Sequence, residues 1–342
     1  MDIYVLNQSF VPIVVIDTYK SLIWTSKYFT CGDFELYLPA TAELVSCLQK
    51  DNFVIKDGSD TVMVIEKVEI ETSLEDGDFL IVSGRSAESL LDRRIIWNQT
   101  TVNDTPPAVI AQLIIENVIA VPERPVRQIA HVAIGTSDAV IDTLKAQYTG
   151  ANLMTTVEDI CRAYGMGIKA ALSSGDLVFS CYVRGAVDVE FSAEFDNLVE
   201  SKYIEDYTKY KNAALVAGEG EGSARKRISV TEDGNNPPMG LARRELYVDA
   251  RDISSNDGEM EEEDYLLLLV QRGKEKLASE VIKISFDCEV EPNMTYVYGV
   301  DYRLGDIVTV KNSYDITIKP RIASITESYD TDGYKVILGL ER

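Results

Sequence analysis

Two stretches of alternating apolar and polar residues, one near each end of this 342-residue chain, share the same order of turns and strands. In each stretch a Gly-Asp turn precedes a strand, a second strand follows, and a long hairpin closes on Asp-Gly. The matching segments are 32–36, 65–68 and 76–82 in the first stretch, and 305–310, 322–325 and 332–338 in the second. The pattern predicts two related small β-barrels, the second split by the intervening chain. Chance similarity between two common Asp-Gly hairpins is the alternative.

Between the two stretches the apolar period changes to that of a helix. Thr155 and Glu158 have the spacing of a capping box, which predicts the start of a helix there. Gly165 is a suitable residue to end that helix. Residues 166–183 then alternate around a Ser-Ser-Gly-Asp turn, which indicates a hairpin. This segment is predicted to be a small α/β domain inserted after a β domain.

Strands return after residue 198, and the longest helix candidate is 261–280, with acidic residues at its start and lysines nearer its end. The strands expected after it are 281–290, 296–302, 306–311, 316–326 and 334–340. The predicted fold class is therefore α+β and predominantly β, with two similar barrel domains, an inserted α/β domain and a long helix. The predicted domains are 1–97 (first barrel), 98–195 (insert), 196–255 with 281–342 (second, discontinuous barrel) and 256–280 (helical connection).

The charge balance excludes several classes of partner. Lys and Arg total 33 and Asp and Glu total 56, so the net charge is −23, which disfavours binding to nucleic acid or to an anionic membrane. A single histidine rules out a His-rich metal site. The longest apolar run, 265–270, is too short to span a membrane, and no secretory signal precedes it. Five scattered cysteines without a CxxC pair indicate free thiols in a reducing cytoplasm.

Four segments have features of binding or catalytic sites, and each also has a more ordinary structural interpretation. The glycine-rich 218–223 lacks the lysine of a phosphate loop and is expected to be a hairpin tip. The acidic cluster 259–264 does not follow a calcium loop and suits a solvated helix start. The basic run 224–227 either contacts an acidic partner subunit or guards a strand edge. His131, in an apolar run, is expected at a core or sheet edge. No catalytic, cofactor-binding or metal-ligating residue is predicted, and no cofactor.

Four motifs in order resemble a known family. They are GDFELYLPA at 32–40, VSGRSAESLLDRRI at 82–95, YRLGDIV at 302–308, and the ending 332–340, which begins DGY and closes on LGL. Together these resemble the siphovirus-type tail-hub proteins of phages and prophages, which are related to the baseplate hub of contractile tails. The resemblance extends over nearly the whole chain.

The resemblance implies a fold, a function and partners. Such hubs are trimers on the tail axis, in which two similar barrels per subunit form a pseudo-sixfold ring that joins a hexameric tail tube to a threefold spike or fibre. The implied partners are two further copies of the chain, the tail tube or a distal tail protein, a spike, fibre or tail-tip protein, and a tape-measure protein, with DNA passing transiently and no membrane anchoring. The implied location is the virion or a tail-like particle made in a bacterial cytoplasm.

The resemblance implies a structural protein and no enzyme. Some related proteins continue into a peptidase or wall hydrolase, whereas this sequence stops at Arg342, so we expect no lytic domain. The rival functions are a carbohydrate- or receptor-binding tail module, which needs an exposed aromatic cluster, and a hydrolase, which needs a pocket with two close carboxylates. For a hub, we expect much of the negative charge to face the channel, where it repels passing phosphates.

Overall fold

The computed structural model describes nearly the whole chain. It describes residues 1–74, 77–138, 140–192, 200–234, 236–290, 296–311, 314, 317–331 and 333–341, with the backbone alone for 200–203 and 283–290. The α-helices in these ranges are α1 (Ala42–Cys47), α2 (Pro106–Ile114), α3 (Leu153–Tyr164) and α4 (Glu262–Ser279). A 3-10 helix spans Ala87–Arg93, and a π-helical turn, Ile115–Ile119, extends α2.

Strands dominate the described residues. In the first third they are β1 (Ile3–Leu6), β2 (Pro12–Ile16), β3 (Ser21–Lys27), β4 (Asp33–Pro39), β5 (Phe53–Lys56), β6 (Val62–Ser73), β7 (Gly77–Ser86) and β8 (Thr100–Asp104). In the middle they are β9 (Val132–Ile134), β10 (Leu144–Tyr148), β11 (Gly167–Ser173), β12 (Asp176–Tyr182), β13 (Ala186–Ser192), β14 (Glu200–Asp206), β15 (Ala213–Ala217), β16 (Arg227–Thr231) and β17 (Glu245–Asp249). The last are β18 (Lys283–Val290), β19 (Ile307–Lys311), β20 (Thr317–Ile318), β21 (Arg321–Asp330) and β22 (Gly333–Glu341).

One sheet of 14 strands runs through both ends of the chain. Its main path is β14-β18-β22-β21-β3-β4-β7-β6-β5-β1-β2, with β19 joining β13 and β20 to β21. The fold is predominantly β with few helices, as predicted, but the pairings among the described strands follow an open path and do not close a barrel. Three small sheets stand apart from it: β8 with β10, β9 with β11 and β12, and β15 with β16 and β17.

The two halves of this large sheet meet where β3 pairs antiparallel with β21. The register runs from Lys27 opposite Ser324 to Leu22 opposite Tyr329. At the middle of the joint the hydroxyl oxygens of Thr25 and Thr326 are 3.1 Å apart, within hydrogen-bonding distance. A strand from the first eighth of the chain is thus hydrogen-bonded to one from its last tenth.

The predicted repeat is present in the two long hairpins. In β6–β7 the register shifts between Ile65 and Lys67, so that Glu66 forms a bulge. In β21–β22 it shifts between Ile322 and Ser324, so that Ala323 forms a bulge. These are the segments 65–68 and 322–325 that the sequence matched. From the bulges onward the hairpins pair in step, as far as Ser73 opposite Gly77 in the first and Asp330 opposite Gly333 in the second. Asp76 and Asp332, the predicted turn acids, lie outside the described residues.

The Gly-Asp dipeptide leads into a strand in both stretches, as predicted, but the two strands pair differently. The strand after Gly32 is β4, which pairs with β7, the returning strand of its hairpin. The strand after Gly305 is β19, which pairs with β21, the outgoing strand. Strand β19 therefore occupies the place in the second half that β5 occupies in the first, next to the outgoing strand of the hairpin. The counterpart of β4 is β18, which pairs with the returning strand β22. A Gly-Asp turn starts a strand but carries no information about which edge that strand joins.

Three further expectations need correction. The N-cap of α3 is Asn152, whose side chain accepts a hydrogen bond from the Thr155 amide at 3.0 Å, so Thr155 lies inside the helix and forms no capping box. Gly165, with φ +63°, does end α3 as predicted. Residues 296–302 are not a strand and contribute only an isolated bridge between Tyr298 and Tyr302. The predicted strand 316–326 is broken before Arg321 by Pro320, which has no amide hydrogen to donate.

Four apolar clusters fill the described part of the chain. One lies inside the first half of the large sheet and includes Trp24 and Leu36. A larger cluster lies between the other face of the first half of the sheet and helices α2 and α3, and includes residues such as Val64. A third fills the second half of the sheet. The fourth packs α4 on the β15–β17 sheet, with Leu269 against Val216. The segment 213–249, expected in the second barrel, therefore pairs within itself and is covered by the long helix.

Candidate assembly site

A buried ion pair lies beside the joint between the halves. The ammonium group of Lys56, from β5, contacts the carboxylate of Glu327, from β21, and their side chains are only 5% and 9% exposed. The other oxygen of Glu327 accepts hydrogen bonds from the hydroxyls of Tyr329 and Tyr334, each at 3.0 Å. Lys56 also lies 5.6 Å from the Trp24 ring, close enough for a cation–π contact. Burial lowers the pKa of Lys56, whereas burial and the Glu327 charge raise the pKa of Tyr329 and of Tyr334.

A cleft of about 560 Å³ opens above this ion pair. It is lined by the first half of the sheet, by the α/β insert and by the loop before β19. One wall holds Glu88, a buried carboxyl group whose Oε1 accepts a hydrogen bond from the Ala170 amide at 2.6 Å. Burial raises the pKa of Glu88. Two carboxylates of the cleft thus hold parts of the fold together: Glu88 bonds the insert through Oε1, and Glu327 bonds a lysine and two tyrosines. The buried Oε2 of Glu88 makes no hydrogen bond to the described residues.

Tyr28 is the point where the insert and both halves of the sheet touch. Its hydroxyl hydrogen is shared between the Gly165 and Tyr182 carbonyl oxygens at 3.2 Å each, and its oxygen accepts from the Arg184 amide. A Cβ on Gly305 would lie only 2.2 Å from the Tyr28 ring, so glycine is required for this approach. The φ of Gly305, +93°, imposes the same requirement.

Arg184 and Asp306 fasten the insert to the second half of the sheet. The Arg184 guanidinium donates to both carboxylate oxygens of Asp306, at 2.8 and 3.2 Å, and the Asp306 side chain is almost fully buried. In the other Gly-Asp turn, Asp33 is half exposed and pairs with Lys27. The two Gly-Asp dipeptides are therefore alike in sequence but differ in burial and in ion-pair partner.

The first hairpin carries apolar side chains that nothing in the described chain covers. Beyond the Glu66 bulge, Val68 and Ile70 are 36% and 54% exposed, although their cross-strand partners Val82 and Leu80 are fully buried. Val68 and Ile70 thus lie on the core face of the sheet at a place where the core does not extend. Exposed apolar side chains in a row indicate a surface that a partner covers.

The end strand β2 is also apolar on its outside. Val11, just before the strand, and Ile13 and Val15 within it alternate in sequence and are each between two-fifths and three-fifths exposed. Among the described strands β2 pairs only with β1, so its other edge has no partner there. An edge strand of this kind is prone to join another chain unless it is covered.

The basic run 224–227 is used within the chain. Arg225 donates to the carbonyls of Ala217 and Gly218 and to the Asp249 carboxylate, and Lys226 contacts Glu262. It therefore ties the tip 218–223, which does connect β15 to β16 as expected, to the rest of this small sheet.

The acidic cluster 259–264 lies at the start of α4, as expected, where Lys226 and Lys145 pair with Glu262 and Asp264. His131 is not in the core: it is exposed, has φ +58°, and lies at a turn directly before β9, an end strand of its sheet, with Nδ1 3.4 Å from Asp176. Within the described ranges, no group of three or more His, Cys, Asp or Glu side chains is arranged to hold a metal ion. No helix in the described part of the chain is long and apolar enough to cross a membrane.

Solved tail proteins share this fold from end to end. The 43 kDa tail protein of prophage MuSo2 from Shewanella oneidensis is 13% identical with a TM-score of 0.61, and the match covers 100% of this chain and 98% of that one. A tail protein from Neisseria meningitidis MC58 is 16% identical with a TM-score of 0.58, covering 99% and 96%. Prophage tail protein gp18 from Listeria monocytogenes EGD-e is 11% identical with a TM-score of 0.55, covering 99% and 94%. The fold is that of prophage tail proteins.

The family assignment is narrower. The model of siphovirus ReqiPepy6 Gp37-like proteins matches residues 2–339, so the chain belongs to that family. The search of curated proteins found no match. The resemblance to phage and prophage tail proteins that the sequence motifs suggested is confirmed.

Proposed function

We propose that the chain is a structural hub of the tail tip or baseplate, assembled as a ring of three copies. The observation that carries the proposal is the joint between β3 and β21, which links two halves with matching bulged hairpins into one sheet. Three such chains present six similar halves around an axis. A ring of this kind fits a sixfold tube on one side and a threefold spike or fibre on the other.

The domain division belongs to the same proposal. The first half is residues 1–97, the insert is 98–195, and the second half consists of 196–255 and 281–342, with 256–280 as the helical connection. The second half has an apolar cluster of its own, which supports this division, and so has one face of the first half; the other face of the first half shares its cluster with the insert. Within the second half, 213–249 forms a satellite with α4 and adds nothing to the large sheet.

The proposed partners follow from the ring. They are two further copies of the chain, the tail tube or a distal tail protein, and a spike, fibre or tail-tip protein, with a tape-measure protein passing the channel. The exposed apolar residues of β2 and of the first hairpin support contacts with such partners.

The sign of the net charge on the channel wall stays a prediction. On the face of the large sheet opposite to the one that carries Val68 and Ile70, three ion pairs form: Lys27 with Asp33, Lys67 with Glu69, and Arg85 with Glu66. Glu35 and Glu71 lie on the same face outside these pairs, so the pairs compensate only part of its acids. A channel lined by this face would repel passing DNA through the acids that remain.

The hub has no hydrolytic role in this proposal, because Glu327 is held in an ion pair with Lys56 and Oε1 of Glu88 accepts a hydrogen bond from the Ala170 amide. Purified protein incubated with cell walls should release neither sugar nor peptide. Release that is lost in a Glu88→Gln or Glu327→Gln variant would instead establish the hydrolase.

The position in the particle is tested by electron microscopy of tails labelled with an antibody against the chain. Label confined to the end of the tube, between tube and spike or fibre, is the expected result. Label on the distal tips of fibres would favour a receptor-binding module and contradict the hub.

A further inference from the structure

The two hairpins are equivalent in position but differ in what covers them. Aligning the bulges and the turns places Val68 at the position of Ile325 and Ile70 at that of Glu327. Ile325 and Glu327 are only 1% and 7% exposed, because β3 lies beside β21 and the first half of the chain covers its inner face. Beside β6, beyond the bulge, no described strand occupies the corresponding place.

The strand able to fill that place is at the other end of the sheet. In the first half the order outward from the hairpin is β7, β4, β3; in the second it is β22, β18, β14. Following the registers, Tyr203 opposite Phe286 corresponds to Trp24 opposite Phe34, so aromatic residues recur at both positions. Strand β14 therefore matches β3. Whereas β3 has β21 on its far side, β14 has only β18 among the described strands.

We propose that β14 of one copy pairs antiparallel with β6 of the next, as β3 pairs with β21 inside the chain. This interface rests on the proposed ring, and it specifies the surface that closes it. Since Thr25 lies opposite Thr326, the equivalent positions are Ile204 of the partner subunit and Glu69. The register that follows aligns β6 residues 67–72 with β14 residues 201–206.

Charge supports this register. It sets Lys67 opposite the partner's Asp206 and Glu71 opposite the partner's Lys202, so oppositely charged residues meet at both positions. Directly opposed cross-strand pairs of opposite charge stabilise a sheet, and like charges destabilise it. A shift by two residues in one direction sets Glu69 opposite the partner's Asp206. In the other direction it sets Glu71 opposite the partner's Glu200 and keeps only one pair of opposite charges, so neither shift matches the proposed register.

The apolar residues support it as well. Inside the chain Lys56 meets Glu327 across the joint. The registers of β5 with β6 and of β19 with β21 make Val310 the equivalent of Lys56, while Ile70 is the equivalent of Glu327. The interface between copies thus has two apolar residues where the joint within the chain has an ion pair. Ile70, half exposed in a single chain, becomes covered there.

Disulfide cross-linking tests the interface. The full chain is prepared with Cys31, Cys47 and Cys288 replaced by serine, and Cys161 and Cys181, which are buried, are left in place. The test variant is Glu69→Cys/Ile204→Cys. Directly opposed residues of antiparallel strands are about 4.5–5.5 Å apart between Cα atoms, within the reach of a disulfide.

Two variants are matched controls. Thr25→Cys/Thr326→Cys places cysteines at the equivalent positions within the chain, where the hydroxyls are 3.1 Å apart, and should form a disulfide without joining chains. Glu69→Cys/Lys202→Cys is off register by two residues. Its Cα atoms are then about 7–8 Å apart, too far for a disulfide.

After oxidation, the test variant should give covalent two-chain and three-chain bands on a non-reducing gel, and the off-register variant should stay at one chain. Three-copy assemblies in sedimentation without cross-linked bands would overturn the strand pairing and leave the ring intact. Bands from the off-register variant only would overturn the register. Single chains at every concentration, together with no cross-linking, would overturn both the ring and the interface.

Discussion

Lys56 and Glu327 are separated by 271 residues in sequence and form the ion pair beside the joint of the two halves. Both side chains are more than nine-tenths buried, so neither charge is solvated by bulk water. A buried pair of this kind contributes little net stability, but it is costly to break, because the remaining charge stays buried without a partner. The pair therefore fixes which strand lies beside β3.

Lys56→Met should destabilise the chain by about 3–5 kcal/mol, because the Glu327 carboxylate is left buried and unpaired. Urea unfolding gives the free-energy change. Lys56→Met/Glu327→Gln should be less destabilised than the single variant, since its glutamine is neutral and still accepts from the tyrosine hydroxyls. Lys226→Met removes an exposed pair with Glu262 and is the control, with an expected loss below about 1 kcal/mol. Equal losses for Lys56→Met and Lys226→Met would contradict the role of the buried pair.

Glu88→Gln should change how stability depends on pH. Burial raises the pKa of Glu88 in the folded chain, so the folded state binds more protons than the unfolded state between the ordinary glutamate value and the raised one. The unfolding free energy therefore contains a contribution that is full below the ordinary value and is lost as pH rises through the raised one. Glu88→Gln removes this fall with pH and keeps an oxygen to accept from the Ala170 amide. Unfolding measured from pH 4 to pH 8, with exposed Glu221→Gln as control, tests it; parallel curves for Glu88→Gln and wild type would contradict the account.

Gly305→Ala should disrupt the contact at Tyr28. Alanine at φ +93° costs about 1–2 kcal/mol in backbone strain, and its Cβ meets the Tyr28 ring, which adds about 1–3 kcal/mol of overpacking. Gly240→Ala is the matched control, because Gly240 has φ +55° and open space around it. The difference between the two losses isolates the clash with Tyr28. Equal losses would show that Tyr28 moves away freely.

Asn152→Ala should cost about 1–2 kcal/mol, because the first turn of α3 loses the side chain that accepts from the Thr155 amide, and Asp92 loses the hydrogen bonds that the Asn152 amide donates. Thr155→Ala, which a capping box would make equally costly, should change the unfolding free energy by less than about 0.5 kcal/mol. Thermal or urea unfolding of both variants distinguishes the two caps. A larger loss for Thr155→Ala would restore the capping box.

The sequence predicted what depends on local patterns. Alternation found the long hairpins and matched 65–68 with 322–325, because a bulge and its flanking apolar residues leave a short local signature. The cap of α3 was misassigned because Asn152 and Thr155 are both good capping residues, and only the backbone conformation decides between them.

Long-range pairing left no such signature. Thr25 and Thr326 are hydrogen-bonded across 301 residues of sequence, and no local pattern around either residue predicts this contact. The different pairing of β4 and β19 was missed for the same reason, since Gly32-Asp33 and Gly305-Asp306 look alike locally. The exposed Ile70 became informative only beside its covered equivalent, Glu327.

The central claim is that three copies of this chain supply six similar halves around the tail axis. A cryo-electron microscopy reconstruction of the tail end of the particle tests it most directly, because it counts the copies around that axis. The account predicts three copies, with the β3–β21 joint inside each chain alternating with the β14–β6 joint between chains. Six copies, or one copy off the axis, would contradict it.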